Sequence, residues 1–145
     1  MDGLRLRKAT ADDREFAYQA KKAAFRRYVE AVWGWDEAEQ RQLHRRRFGS
    51  QEFFVIQLSG IDVGILARVR KPACVKLNQL FVLPEYQNRG IGKVCMIRIL
   101  EEADALKLPV RLRVLKVNVR AIVFYQRLGF GKIGESDTHI LMERT

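Results

Sequence analysis

Cysteine, histidine and proline are all scarce. The two cysteines, Cys74 and Cys95, stand far apart and form no Cys-x-x-Cys, and His44 and His139 are the only histidines. Too few soft ligands remain for a Cys/His zinc cluster, so no metal is expected. The chain has 3 prolines and 10 glycines and no Pro/Gly/Ser-rich stretch, which excludes collagen-like and linker-dominated architectures. No internal repeat or low-complexity tract occurs. No apolar run approaches the roughly 18 residues of a membrane span. Met1-Asp2-Gly3-Leu4-Arg5 lacks the apolar core of a signal peptide. These absences set the expectation of a soluble chain in a reducing, cytoplasmic setting, with no membrane partner.

Apolar residue and charge are abundant. Hydrophobic residues make up 48% and charged residues 30% of 145 positions, a balance that excludes disorder. That length argues for one domain, 1–145, with a real core. Lysine and arginine number 27 against 17 aspartate and glutamate, a net charge of +10. A nucleic acid, an acidic membrane face or a phosphorylated cofactor would each suit that charge, which alone does not choose among them.

Periodicity orders the elements. Residues 4–7 alternate as a first strand. Thr10 offers a helix N-cap, and Ala17, Ala20, Ala24, Tyr28 and Ala31 recur at helical spacing over 12–32. Trp33-Gly34-Trp35 interrupts this helix, and a second spans 36–48, closed by Gly49. Residues 53–58 and 61–69 read as strands joined by the Ser59-Gly60 turn. A third long strand covers 73–83, and Pro84 to Asn88 stop it. The clearest helix spans 90–107, with Gly92, Met96, Ile99, Leu100, Ala103 and Leu106 on one face. Val110, Leu112 and Val114 alternate with Arg111 and Arg113 as a strand. A helix over 118–128 ends at Gly129, and a last strand pair lies around Ile133 and over 139–142. The order is β-α-α-β-β-β-α-β-α-β-β: an α/β domain with a mixed sheet, antiparallel in its N-terminal part, in which the β-α-β unit over 77–115 sets two strands parallel.

Gln87-Asn88-Arg89-Gly90-Ile91-Gly92-Lys93 lies between a strand and a helix. Unpaired amides at a helix N-terminus bind phosphate, and glycines let an anion approach closely. Arg89 and Lys93 add positive charge. A turn shaped only by its glycines is the plainer reading. A P-loop would need a glycine where Gln87 stands and a hydroxyl residue at Val94. A dinucleotide fingerprint would need a third glycine at Cys95 and an acidic residue about twenty positions on. Neither is met.

The remaining pattern, Gln-x-x-Gly-x-Gly after a long strand and Pro84, resembles the acetyl-CoA signature of the GCN5-related N-acetyltransferase (GNAT) superfamily. Leu80-Phe81-Val82-Leu83-Pro84-Glu85-Tyr86-Gln87 is similar to that family's entry to the loop. Residues 118–130, with Ala121, Phe124, Tyr125 and Gly129-Phe130, are similar to its following helix. The element order agrees along nearly the whole chain. Trp33-Gly34-Trp35-Asp36-Glu37 resembles a stretch in a group of mostly uncharacterised bacterial acetyltransferases.

The resemblance implies acetyl transfer from acetyl-CoA to a primary amine by direct attack in a ternary complex. It implies that Gln87, Asn88, Arg89, Gly90, Ile91, Gly92 and Lys93 hold the diphosphate, and that the backbone of Phe81, Val82 and Leu83 bonds the pantetheine arm. It further implies a β-bulge that splays this strand from its parallel neighbour. The sequence carries an independent hint, because apolar residues hold odd positions at Val75 and Leu77 and even ones at Leu80 and Val82. Tyr125 matches the family's tyrosine beside the thioester sulfur, and a neutral phenol can protonate the departing thiolate. The other reading of Tyr125 is a core residue in the stripe of Ala121, Phe124 and Leu128. Asn118 caps its helix and, by resemblance, touches the cofactor.

The general base is not assigned. Many relatives place a glutamate on the strand before the loop, where this chain has Lys76-Leu77-Asn78-Gln79. Water ordered by Asn78 or Gln79 is one route, and Glu30, Asp36, Glu37 and Glu52 are others. By resemblance the acceptor cleft borders the segment between the first two helices, where Glu30, Trp33, Trp35 and Asp36 could hold a cationic amine; both indoles could equally fill a helix corner. A small-molecule amine or a peptide or protein amine would be the partner, and relatives often form homodimers. The basic run 41–47 reads as a solvated face or an anion contact. No aromatic residue interleaves it, so nucleic-acid base stacking there has no support. His44 reads as structural. The alternative to an enzyme is a non-catalytic module of the same fold that binds acetyl-CoA or an acidic partner.

Overall fold

A computed structural model describes residues 1–145. The alternating segments form seven strands: β1 (Leu4–Lys8), β2 (Glu52–Leu58), β3 (Ile61–Arg70), β4 (Val75–Val82), β5 (Val110–Leu115), β6 (Gly131–Glu135) and β7 (His139–Arg144). They make one sheet in the order β1-β2-β3-β4-β5-β7-β6, antiparallel throughout except between β4 and β5. The helices are α1 (Arg14–Trp33), α2 (Glu37–Ser50), α3 (Ile91–Leu106) and α4 (Val119–Arg127). Element order and the parallel pair are those the sequence predicts.

Boundaries shift where side chains intervene. A 3-10 turn over Ala11–Asp13 precedes α1. There the Asp13 carboxylate accepts the Thr10 amide at 2.8 Å and both terminal Arg7 nitrogens at 2.8 Å. Those bonds fasten the helix start to β1, and Arg7 holds the Asp13 carboxyl down at about 2. Helix α2 runs through Gly49, contrary to the expected stop, and ends where Gln51 turns extended at φ −115°. Strand β4 starts at Val75 rather than 73, because the Cys74 carbonyl closes a turn by accepting the Lys71 amide at 2.8 Å.

The sheet separates two apolar layers. Val75, Leu77, Met96, Ile99, Leu112 and Met142 belong to the larger core, beneath α3. Ala17, Ala20, Phe53, Ile65 and Ala67 pack beneath α1 on the opposite face. Each fully buried aliphatic side chain contributes about 1.5–3 kcal/mol.

One irregularity makes the site. The β3–β4 register slips, with Ala67 opposite Gln79 but Arg68 opposite Leu77, so Asn78 is the extra residue of a bulge. The apolar phase slips with it: Val75, Leu77, Leu80 and Val82 side with the larger core, and Phe81 and Leu83 with the smaller. Before the bulge, β4 pairs with β5 only through Val75–Val110 and Lys76–Arg111. Beyond Lys76 the two strands part and leave a slot.

Candidate active site

The parted strands open into a cleft of about 1490 Å³, walled by α1 and α2 on one side and by α3 and α4 on the other. At the α3 wall, Asn88 (φ +64°) and Gly90 (φ +83°) turn the chain so that α3 begins facing the cleft. Val94 is the first amide to bond into the helix, to the Gly90 carbonyl at 3.1 Å. The amides of Ile91, Gly92 and Lys93 find no carbonyl in the protein. A nest of free donors at the positive end of a 16-residue helix is a site for a phosphate.

Side chains around the turn sort themselves. Gln87 Nε2 donates to the Val82 carbonyl at 2.9 Å, tying the turn to the end of β4. Arg120 of α4 reaches back to the Asn88 side-chain oxygen and to Gln87 Oε1, adding a cation that sequence reasoning missed. Lys93 lines the cleft. The Arg89 side chain does not, contrary to expectation. It lies over the Tyr86 ring at 5.3 Å and donates to the Glu85 carbonyl at 3.2 Å.

The backbone of β4 needs a second correction. The Leu83 amide donates to the Val63 carbonyl at 2.8 Å, so it faces β3. With period-two alternation, Phe81 also faces β3, whereas Leu80 and Val82 turn their backbone groups toward the slot. The Val82 amide therefore stays a candidate for an added strand, Leu80 joins it, and Phe81 and Leu83 leave the set. Phe81 still lines the cleft through its ring, 5.0 Å from Phe25. At Gly64, a Cβ would sit 2.4 Å from the Phe81 carbonyl oxygen, so glycine permits the close β3–β4 approach here.

On α4, Asn118 and Tyr125 both line the cleft, as their seven-residue spacing predicts. Asn118 Oδ1 accepts the Ala121 amide at 3.2 Å, the expected cap. Tyr125 is packed edge-on against Phe124 and Phe130, with centroids at 5.1 and 5.6 Å. Burial pushes its phenol well above the ordinary tyrosine range, so it holds its proton at any working pH.

The α1–α2 wall departs further from expectation. Trp33 lines the cleft and is 59% exposed, 6.0 Å from the His139 ring, which rules out a core role. Trp35 turns away: its Nε1–H donates to Glu37 at 2.7 Å, and its ring packs near Tyr18. The two indoles form no cage. Glu30 pairs with Arg26 outside the cleft. Asp36 lines the cleft, but its Oδ1 caps α2 by accepting the Glu39 amide at 3.0 Å. Of the other carboxylates, Glu37 is held by Trp35 and Lys22, and Glu52 by Arg68. Asn78 and Gln79 do line the cleft.

The basic run divides. Arg41 bonds Glu15 at 2.8 Å and covers the Tyr18 ring; Arg45 and Arg46 are exposed. His44 is buried among Tyr18, Phe48 and Phe53, with Nε2 at 3.0 Å from the Arg14 carbonyl, a structural role. Of its cations only Arg47 enters the cleft, beside Leu43 of the same run, and Lys21, Lys76, Arg113 and His139 join it there. Sequence reasoning passed over these. A lysine at position 21 inside the Ala17–Ala20–Ala24 stripe was the one signal available.

The fold and the amide-lined cleft define an α/β domain with a mixed sheet, split at its parallel pair, and a ready-made anion site at the start of α3. A family model for the acetyltransferase (GNAT) domain matches residues 49–132, and the chain belongs to that family. An uncharacterized N-acetyltransferase of Methanocaldococcus jannaschii is 34% identical over 86 residues, which cover 54% of this chain and 38% of that protein. The match thus spans well under half the length of that relative. The PaiA N-acetyltransferase of Thermoplasma acidophilum, solved in complex with coenzyme A, superposes with a TM-score of 0.81 at 16% identity, covering 98% of each chain. Mutant forms of the spermidine/spermine N-acetyltransferase of Vibrio cholerae superpose at 0.71 and 17% identity, over 99% of this chain and 94% of that one.

Proposed function

We propose that this chain is an acetyl-CoA-dependent N-acetyltransferase, acting as a single domain over 1–145 in a cytoplasmic setting. The observation that carries the reading is the set of free Ile91, Gly92 and Lys93 amides opening onto parted parallel strands. The residues present fit acetyl-CoA. Those amides, with Lys93, Arg120 and the Gln87–Asn88 turn, would hold the diphosphate. The Leu80 and Val82 backbone would bond the pantetheine arm as a short added strand. Bound there, acetyl-CoA supplies an acetyl group activated as a thioester.

The chain's residues then have three tasks. Asn78, beside the slot, orders a water that relays to bulk solvent the proton an alkylamine must lose before it attacks. A Leu80 or Val82 N–H bonds the oxygen that becomes negative as the amine nitrogen joins the carbonyl carbon. As the carbon–sulfur bond breaks, the Tyr125 hydroxyl donates its proton to the sulfur. The desolvation that raises Tyr125 raises a thiolate beside it too, so the transfer stays near balance.

The binding-module alternative draws on one observation: the carboxylates lining the cleft are Asp36 and Glu39 at its corner, and Asp36 already caps a helix. Turnover separates the two readings. Coenzyme A release is expected with at least one amine of a broad panel, and acetyl-CoA is expected to bind in the micromolar range. Binding without turnover across the panel favours the module.

A further inference from the structure

The α1–α2 wall carries four cations with no counter-ion. Lys21 comes from α1, Arg47 from α2, Lys76 from β4 and Arg113 from β5, and all four line the cleft. None joins an ion pair, and what sets them apart from the chain's other unpaired cations is that they meet in one cleft, with Lys21 buried. Lys21 is only 3% exposed and has a single weak partner, Gln40 Oε1 at 3.4 Å. Burial and the nearby Arg47 draw its ammonium down to about 8. Arg47 and Lys76 are lowered too, by burial first and then by basic neighbours that include Arg113. Clustered cations without an anion cost stability, so their persistence asks for a ligand.

Orphaned polar atoms point the same way. Both amide atoms of Gln79, itself 5% exposed, and Oε1 of Gln51 are buried without a partner, and both residues line this cleft. The cluster is not the cofactor's phosphate site. Lys76 alternates with Val75 and Leu77, and Arg113 with Leu112 and Val114, all of which face the core beneath α3. The cations therefore face α1 and α2, across the sheet from the Ile91 amides.

We propose that the acceptor amine carries its own anionic group, a carboxylate or a phosphate on a small molecule, held by Lys21, Arg47, Lys76 and Arg113 with Gln79. This rests on the acetyltransferase reading and narrows it, and it disfavours polyamines at this cluster, where a second cation would meet four of its own sign, the cleft's carboxylates being Asp36 and Glu39 at the α1–α2 corner. Trp33 and His139 then frame the mouth rather than bind charge. An incoming anion would also offset the burial and the Arg47 charge that lower the Lys21 ammonium.

The test pairs amines that differ only in the anion: leucine against leucinamide, and O-phosphoethanolamine against ethanolamine, with spermidine as a polycation. Coenzyme A release is measured for the wild type and for a Lys76→Met/Arg113→Met variant, which keeps apolar stems. At least one anionic partner is expected to exceed its neutral partner by roughly ten- to a hundredfold in kcat/KM. Which pair responds distinguishes carboxylate from phosphate. In the variant the ratio collapses, while coenzyme A affinity stays within about twofold. If neutral amines or spermidine serve as well, with coenzyme A bound, the proposal fails and the acetyltransferase reading stands. If coenzyme A does not bind, that reading fails first. Should no amine in the panel turn over, inorganic phosphate and acetate are titrated into the coenzyme A complex. Saturable binding that the variant loses sustains the proposal, and equal or absent binding in both proteins overturns it.

Discussion

The two walls of the cleft are made of different material. The α3–α4 wall and the β4 edge beside it present backbone: free amides at 91–93, a turn set by Gly90, and the Leu80 groups and Val82 amide that β5 leaves unpaired. The α1–α2 wall presents side chains, gathered as single residues from α1, α2, β4 and β5. A backbone cradle needs contiguous residues and particular glycines, so it serves one ligand and leaves a motif. A side-chain pocket can be recut residue by residue, which suits acceptors that differ among relatives.

The largest effect expected from this contrast lies at the point where the walls meet. Tyr125→Phe should lower kcat by roughly 100- to 10,000-fold, the usual worth of a general acid, while coenzyme A affinity measured by calorimetry stays nearly unchanged. Equal loss of affinity and turnover would make Tyr125 a packing residue. Because burial raises its phenol, the wild-type pH profile should rise with deprotonation of the amine and show no fall assignable to a tyrosine below about pH 10.

Changes to the backbone wall come next. Gly90→Val forces a β-branched residue to φ +83°, a cost of about 1–3 kcal/mol, and should weaken coenzyme A by roughly five- to a hundredfold with acceptor preference kept. Gly64→Ala places a methyl against the Phe81 carbonyl and should destabilise the fold by about 1–3 kcal/mol, read by denaturant midpoint.

Lys21 gives a smaller, pH-dependent signature. Its folded pKa of about 8 lies below the unfolded 10.5, so the unfolded chain binds more protons between those values. Stability should therefore rise with pH across that window relative to Lys21→Met, and the difference should be flat below pH 8. The smallest effect belongs to the solvated part of the basic run. Arg45→Ala and Arg46→Ala should change neither kcat/KM nor the melting temperature appreciably, in contrast to Arg47→Met.

The same contrast decides what was legible in the sequence. Element order, the parallel pair and the turn at 87–93 follow from periodicity and from residues adjacent in the chain, whereas the bulge shows only as a phase hint between Leu77 and Leu80 and its place at Asn78 comes from the β3–β4 register. The errors are ones of direction. Arg89 is pulled onto Tyr86, Trp35 onto Glu37 and Glu30 onto Arg26, each by a near neighbour that composition does not rank. The Phe81 and Leu83 backbone faces β3 because the bulge sets the phase, and a register is invisible from one strand alone. The cation cluster stayed hidden because Lys21, Arg47, Lys76 and Arg113 are far apart in the chain, and Lys76 and Arg113 occupy polar strand positions that normally face water.

Titration of acetyl-CoA into the wild-type chain, followed by calorimetry, tests the backbone cradle most directly. The account predicts a single saturable site in the micromolar range, weakened by Gly90→Val and indifferent to Lys76→Met/Arg113→Met. No saturable binding, or binding lost through the cationic wall and not through Gly90, would contradict it.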